Sequence, residues 1–202
     1  MKDLLVVSAV DFEVRPLCQR LKARGIPHRT AHTGIGSLAA AASALELGRL
    51  STGCHVIFVG TAGTFASFEQ PFLCTASRVC WLPSGERTGI SYGIPRGKLH
   101  ALALEPSARI GLPEKTVLCS PSISMTSAFA PDWEKELIPG DCVENLELWS
   151  CAAALKAGAK RLDVILGITN QIGPNAHEQW VKWHGQAAEM TAAHVEKYLC
   201  EN

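Results

Sequence analysis

The chain lacks a surplus of charge of either sign. Lysine plus arginine number 19 and aspartate plus glutamate 19, a formal net charge of zero. Without a basic excess no overall field draws nucleic acid or an anionic membrane, so neither is an expected partner. Long apolar runs are missing too: none approaches the roughly 20 residues that a membrane-spanning helix needs. The opening MKDLLVVSAVDFE is too short and too acidic for a signal peptide and reads as a first strand. No internal repeat, linker or composition break divides the chain, so residues 1–202 are expected to form a single domain. With 47% hydrophobic and only 19% charged residues, the composition is that of a folded core rather than a disordered segment.

Paired cysteines are also lacking. Cys18, Cys54, Cys74, Cys80, Cys119, Cys142, Cys151 and Cys200 are scattered, mostly in apolar segments. Such thiols behave as small buried hydrophobes in a reducing compartment, which predicts a cytoplasmic protein. His28 and His32 share one face of a predicted strand, but no cysteine pair or acidic cluster completes a tetrahedral set. No metal site is expected.

What is present is an alternation of apolar runs and amphipathic segments. Strands are predicted at 4–10, 28–33, 55–59, 72–82, 116–119, 141–144 and 162–169, and helices at 11–24, 37–50, 147–157 and 176–199. Residues 83–98, rich in Gly, Pro, Ser and Arg, read as a loop or irregular excursion, and the polar run SPSISMTS follows the strand at 116–119. On the last helix Trp180, Trp183, Ala187 and Met190 recur at helical spacing. The alternation implies an α/β sandwich with a mixed, mainly parallel central sheet.

The most informative stretch is RLDVILGITNQIGPNAHEQW, from Arg161 to Trp180. A buried strand there delivers a single carboxamide, Asn170, at its C-terminal end, which is how α/β proteins build sites. An amide with a donor and an acceptor side is suited to reading a purine edge. Ser8 to Glu13, Thr33 to Gly36 and Gly60 to Thr64 also end strands with small or polar residues, and Glu144 and Glu147 flank a helix start. Gly34-Ile35-Gly36-Ser37-Leu38-Ala39 fits the G-x-G-x-x-A dinucleotide fingerprint, but the next strand ends Phe58-Val59-Gly60-Thr61 with no acid to hold a ribose. A tight strand-to-helix turn is the better reading, and no organic cofactor is expected.

Taken in order, LLVVSAVDFEVRPL, HTGIGSLAAAASALELG, VIFVGTAGTFA, ENLELWSCAAAL and ILGITNQIGPNAHEQW resemble the purine nucleoside phosphorylase superfamily, and within it the nucleosidases. The resemblance runs from about Leu4 to Leu199 and fades between Pro83 and Thr116. Asn170 followed by Gly173-Pro174 and Trp180 looks most like the futalosine hydrolases, which release hypoxanthine from futalosine in a menaquinone route. The resemblance implies a phosphorylase-like three-layer sandwich and a homo-oligomer, often a dimer. It implies that Glu13 activates water and that Glu147 holds the ribose diol, with Leu146 beside it. Thr61, Ala62 and Gly63 match the small-residue loop at the ribose. Asn170 stands where adenosine-type nucleosidases carry a catalytic Asp.

The chemistry agrees with these roles. Breaking C1′–N9 needs a base or carboxylate near C1′, a clamp on the diol and a partner for N7. Asn170 has no titratable proton; it donates to a 6-oxo group and accepts from a protonated N7, which favours hypoxanthine over adenine. A phosphorylase needs cations for phosphate. The glycine loop after strand three is preceded by Phe58-Val59 without Arg, leaving Arg29, Arg78 and Arg87 as the remaining candidates. Each assignment has a plainer competitor. Glu13 and Glu147 suit helix N-termini, Asn170 suits a turn cap, and Trp180 and Trp183 suit a core. Phe129 and Trp133 are candidates for an apolar lid over base or sugar, with Trp133 equally suited to an interface. Trp180, just after the site loop, is a candidate gate.

Overall fold

The computed structural model describes residues 3–92 and 100–201. In chain order the elements are β1 (Leu4–Ser8), α1 (Asp11–Ala23), β2 (Arg29–His32), α2 (Ser37–Ser51), β3 (His55–Thr64), β4 (Phe72–Trp81), α3 (Ser84–Arg87), β5 (His100–Ala103), β6 (Glu114–Cys119), α4 (Pro131–Glu134), β7 (Cys142–Glu144), α5 (Leu148–Leu155), β8 (Arg161–Gln171) and α6 (Ala176–Cys200). The helix α3 lies within the excursion predicted at 83–98; the rest of that excursion from 93 falls outside the described residues.

The architecture is mixed α/β, and the sheet does more than form a middle layer. β3 pairs with β8 and β7, β7 with β6, β6 with β4, and β4 again with β8, so these strands close into a ring. Closure removes edges that would otherwise stay unpaired. β1 and β2 extend the sheet as parallel strands from the first half of β3, and β5 hangs antiparallel on the last part of β4. β3 and β4 are long because each exchanges one neighbour for another halfway: β3 leaves β1 for β7, and β4 leaves β8 for β5.

This corrects the prediction that the third strand stops at Val59. Gly60, Thr61, Ala62 and Gly63 continue β3, paired with β8, and the register slips between Ala62 and Gly63. Glycine reads as a break in sequence, but here it permits close approach. A Cβ on Gly63 would sit 2.6 Å from Ile172 Cδ1 and 2.7 Å from Asn170 Nδ2. Asn170 likewise lies inside β8 rather than beyond it.

Helices α1 and α6 pack on one side, with Val14, Leu17 and Leu21 meeting Ala192, Val195 and Tyr198 over β1, β3 and β8. α2 and α5 pack together on another, where Leu47, Leu148, Cys151 and Leu155 join the main core. Of the predicted α6 face, Ala187 is buried, whereas Trp180, Trp183 and Met190 are half-buried, and the part of the helix against β8 is made of small residues (Ala187, Ala188, Thr191, Ala192). The cause is steric: a Cβ on Gly167 of β8 would stand 2.9 Å from the Ala187 Cβ, so only a small residue fits against that strand. Trp183 stays half-buried with the Lys182 ammonium 4.4 Å from its ring centre.

All eight cysteines are free; Cys200 is exposed, Cys18 half-buried and the others buried. Burial pushes the Cys74, Cys142 and Cys151 thiols up to about 12 and Cys80 to about 11. Among the described residues no helix is long and apolar enough to cross a membrane, and no group of three or more His, Cys, Asp or Glu gathers as metal ligands do. His28 turns to the Ile26 carbonyl and His32 to the Ser8 hydroxyl, so they do not act as a pair.

Candidate active site

The second half of β3 is the organising element. Thr61 gives its backbone N–H (2.9 Å) and its hydroxyl (3.0 Å) to Oε1 of Glu13, which projects from the first turn of α1. The Thr61 carbonyl accepts from Asn145 Nδ2 at 3.0 Å. Asn145 Oδ1 in turn accepts from the backbone N–H groups of Glu147 (3.1 Å) and Leu148 (2.8 Å), capping α5 and fixing the direction of the Glu147 side chain. Glu147 Oε1 accepts from the Gly36 N–H at 2.7 Å. One strand residue therefore ties together two carboxylates 134 positions apart in sequence.

Gly36 explains the glycine pattern that resembles a dinucleotide turn. Gly34 and Gly36 have φ of +76° and +88°, where side chains are strained, and a Cβ on Gly34 would stand 2.9 Å from the Ala39 Cβ. The turn is sterically defined, and the Gly36 N–H goes to a carboxylate of the chain.

Two residues further along β3, Gly63 pairs with Asn170. The amide of Asn170 is oriented by its neighbours: Oδ1 accepts from the Thr169 hydroxyl at 2.9 Å, and Nδ2 donates to the Gln171 carbonyl at 3.3 Å. One lone pair and one N–H remain for a ligand. Glu13, Glu147 and Asn170 are 7%, 6% and 8% exposed, and Ala62 and Gly63 are buried with them while Thr61 and Leu146 are half-buried.

Burial dominates the electrostatics. It raises the Glu13 carboxyl to about 7, against the two hydrogen bonds from Thr61, and the nearby charge of Glu147 raises it further. Burial also raises Glu147, opposed by the Gly36 N–H. Oε2 of Glu13 is buried without a hydrogen-bond partner among the described residues. A buried carboxylate oxygen left unpaired is costly and usually marks a functional position.

Glu144, the competing carboxylate, is engaged elsewhere: it accepts from the Ser124 N–H at 2.9 Å and from the Ser124 hydroxyl, holding the polar run at 120–127. Arg87 is 1% exposed, lies 4.8 Å and 4.9 Å from the ring centres of Phe65 and Phe129, and donates to the carbonyls of Thr126 and Ala128. Phe129 is thus part of an apolar cluster with Phe65, Trp133 and Ile172, and Ile172 of that cluster reaches the site at Gly63. Trp133 is a core residue whose indole donates to the Glu86 carbonyl at 2.9 Å. Trp180 does reach the site: its Nε1 donates to the Thr61 hydroxyl oxygen at 3.3 Å. The sequence places Thr33 to Gly36 at a strand end of the site but gives no role to the Gly36 N–H, and it gives none to Asn145. An Asn just before a helix is a visible capping signal; a backbone N–H leaves no mark in sequence.

Two surface grooves lie apart from these residues. One runs along α1 beside Asp11, Arg15 and Cys18, and the other is bordered by His55, Arg161 and Tyr198 near the opposite ends of the parallel strands.

The site thus joins two buried carboxylates and an amide at one end of a closed mixed sheet flanked by helices. Neither a protein-family model nor a curated protein matches the sequence. Solved structures do match over the full length. A 5′-methylthioadenosine/S-adenosylhomocysteine nucleosidase from Neisseria meningitidis, solved with methylthio-immucillin-A, superposes with a TM-score of 0.77 at 15% identity, covering 100% of both chains. A futalosine hydrolase mutant of Helicobacter pylori gives 0.75 at 15% identity, again over 100% of both. A putative methylthioadenosine/S-adenosylhomocysteine nucleosidase from Francisella philomiragia gives 0.75 at 16%, with the same coverage. These neighbours are members of the purine nucleoside phosphorylase and nucleosidase superfamily, and the chain shares their fold.

Proposed function

We propose that the chain is a nucleosidase that hydrolyses the N-glycosidic bond of a 6-oxopurine nucleoside, with futalosine as the substrate, hypoxanthine as the released base and menaquinone synthesis as the setting. The observation that carries this reading is Glu13: held at one oxygen by Thr61, unpartnered at the other, beside Glu147 and across β3 from Asn170. In the reaction the oxygen of water bonds to C1′ while C1′–N9 breaks and its electron pair leaves with the purine. The water proton passes to Glu13 Oε2, and the purine takes its proton at N7 from solvent. Near pH 7 Glu13 is poised between its two forms, the condition in which a general base is most effective. Glu147 clamps the diol with the oxygen that Gly36 leaves free. Leu146, Ala62 and Gly63 border the sugar and Phe129 backs that wall from the cluster beneath. All of residues 1–202 serve one such domain, in the cytoplasm and as a homo-oligomer.

Water rather than phosphate as nucleophile is supported by where the candidate cations are spent. Arg29 donates to the Leu50 carbonyl and the Cys54 sulfur, Arg78 faces Glu136 at 4.0 Å, and Arg87 is enclosed by two aromatic rings. Incubation with futalosine, inosine and methylthioadenosine, with and without phosphate, tests the reading. Hypoxanthine from futalosine without phosphate is expected. An absolute phosphate requirement makes it a phosphorylase, adenine from methylthioadenosine alone makes it an adenine nucleosidase, and no free base from any of them makes it a binding protein; each overturns the proposal.

Base choice follows from the fixed amide. With Thr169 holding Oδ1 and Gln171 taking one N–H, the remaining N–H of Asn170 meets a 6-oxo group and repels nothing. Asn170→Asp supplies a protonatable acid in its place and is expected to shift the ratio of kcat/KM toward 6-aminopurine nucleosides by about 10–100-fold, equivalent to the ~1–3 kcal/mol of a mismatched buried partner. Competition between inosine and adenosine nucleosides measures it; an unaltered ratio removes Asn170 from base recognition.

A further inference from the structure

Trp180 is tied to the site by a polar contact as well as by packing. Its indole ring stacks on His184 (centres 4.6 Å apart, planes at 17°) and on His177 (5.9 Å, 15°), and the edge of Phe12 meets it at 5.9 Å. Phe12 directly precedes Glu13 on α1, so the ring is held between α6 and the helix that carries the carboxylate. In that position Nε1–H can donate in one direction only, and it meets the Thr61 hydroxyl oxygen at 3.3 Å. That hydroxyl carries a single proton and stands 3.0 Å from Glu13 Oε1.

A hydroxyl whose lone pair is taken on one side keeps its single proton for an acceptor on another. With the indole N–H occupying a lone pair of Thr61 Oγ1, the hydroxyl proton is directed at Glu13 Oε1, which already receives the Thr61 backbone N–H. Chained hydrogen bonds polarise one another, so the indole strengthens the donation it directs. The two carboxylate oxygens thereby become unequal. Oε1 is saturated with donors, and Oε2 is buried with none among the described residues.

We propose that Trp180 is a positioning residue: through Thr61 it fixes the Glu13 carboxylate in one rotamer and leaves Oε2 as the atom that takes the proton of the attacking water. The proposal rests on the nucleosidase reading for its catalytic meaning, but the relay itself exists without substrate. Glu13 also faces Glu147, whose charge opposes its ionisation. Asp11 and Arg15 on α1 pair with each other, His32 meets Ser8 at the end of β1, and His177 and His184 flank the indole from α6.

The relay predicts how the carboxyl titrates. Removing a donor from the charged form raises a carboxyl pKa. Protein labelled with carbon-13 at the glutamate carboxyl is titrated by NMR, with the Glu13 signal assigned by its loss in Glu13→Gln. Thr61→Ser keeps the relay and is expected to titrate as wild type. Thr61→Val removes it and is expected to move the Glu13 midpoint up by about one pH unit, and Trp180→Phe, which keeps an aromatic ring and loses the N–H, by about half as much. Futalosine hydrolysis by Trp180→Phe is expected to fall about 10-fold in kcat with KM unchanged, its acid limb moving with the midpoint. A wild-type Glu13 midpoint in both Trp180→Phe and Thr61→Val overturns the relay, as does a shift in Thr61→Ser equal to that in Thr61→Val. Undiminished hydrolysis by Glu13→Gln overturns the nucleosidase assignment instead, and the titration then still decides whether the relay exists.

Discussion

Replacing Glu13 by Gln is expected to lower hydrolysis by about 10²–10⁴-fold, the range that a positioned general base contributes, and at the same time to make the protein more stable above pH 7. The second effect has the same origin as the first. Burial holds the folded-state carboxyl near 7, well above its ordinary 4.5. Between those values the native protein keeps a proton that the unfolded chain has released, so stability falls as pH rises through that window and levels off above 7. The loss amounts to about 3 kcal/mol for this group alone. In Glu13→Gln the amide carbonyl accepts the same two Thr61 donors, and the side chain carries no charge to desolvate. Urea unfolding of the two proteins is expected to coincide near pH 4.5 and to separate by pH 8, with the variant more stable. A variant less stable than wild type at pH 8 contradicts this account of the site, and one that keeps full turnover contradicts the assigned role. A gain in stability with loss of activity is the mark of a residue kept for chemistry at the expense of the fold.

Asp163 makes the opposite case and carries the largest purely structural effect. Its side chain is fully buried in β8 at the end of the strands remote from Glu13. Oδ2 accepts from His55 Nε2, Arg161 Nε and the Tyr198 hydroxyl, each at 2.7 Å, and Oδ1 accepts from the Ser107 N–H at 3.2 Å. Burial alone pushes this carboxyl up; the hydrogen bonds from His55, Arg161 and Tyr198 outweigh it and hold the group at about 2. Asp163→Ala takes the acceptor from all four donors and is expected to cost about 3 kcal/mol, the lower end for a broken buried pair, because Arg161 can turn to water. Asp163→Asn keeps one acceptor oxygen and is expected to cost less. In the wild type the contribution is present at neutral pH and is lost as pH falls from 3.8 through about 2. Denaturant midpoints for the two variants check the order; an alanine variant within about 1 kcal/mol of wild type would show that the network contributes little.

The parts of the fold legible in the sequence are those with a strong period. The apolar run of β1, the spacing of Val14, Leu17 and Leu21 on α1, and Val164-Ile165-Leu166 on β8 read correctly because one face or one whole segment is buried. β3 is legible only to Val59, since Gly60 and Gly63 look like stops until β8 and Ile172 are seen pressing against them. β5 is a four-residue edge strand, mostly exposed, with no apolar alternation to announce it. Ring closure is invisible because it depends on β4 and β8, far apart in sequence, meeting in space. At the site, Glu13, Glu147 and Asn170 stand out as polar residues at strand or helix ends. The link between Glu13 and Glu147 through Thr61 and Asn145 does not, because it runs through backbone carbonyls and amides. Trp180 has helical spacing suited to a core, and only coordinates reveal that its N–H points at a hydroxyl.

The distribution of sulfur gives the native protein a built-in reporter. Cys200 is the one exposed thiol and Cys18 is half covered, while Cys54, Cys74, Cys80, Cys119, Cys142 and Cys151 lie inside. A maleimide added to the folded chain is expected to modify Cys200 quickly and Cys18 slowly, and the remaining six only when the fold opens. Counting adducts by intact mass therefore follows global opening at a single residue type, without an introduced label, and any variant that loosens the molecule announces itself as a higher alkylation number.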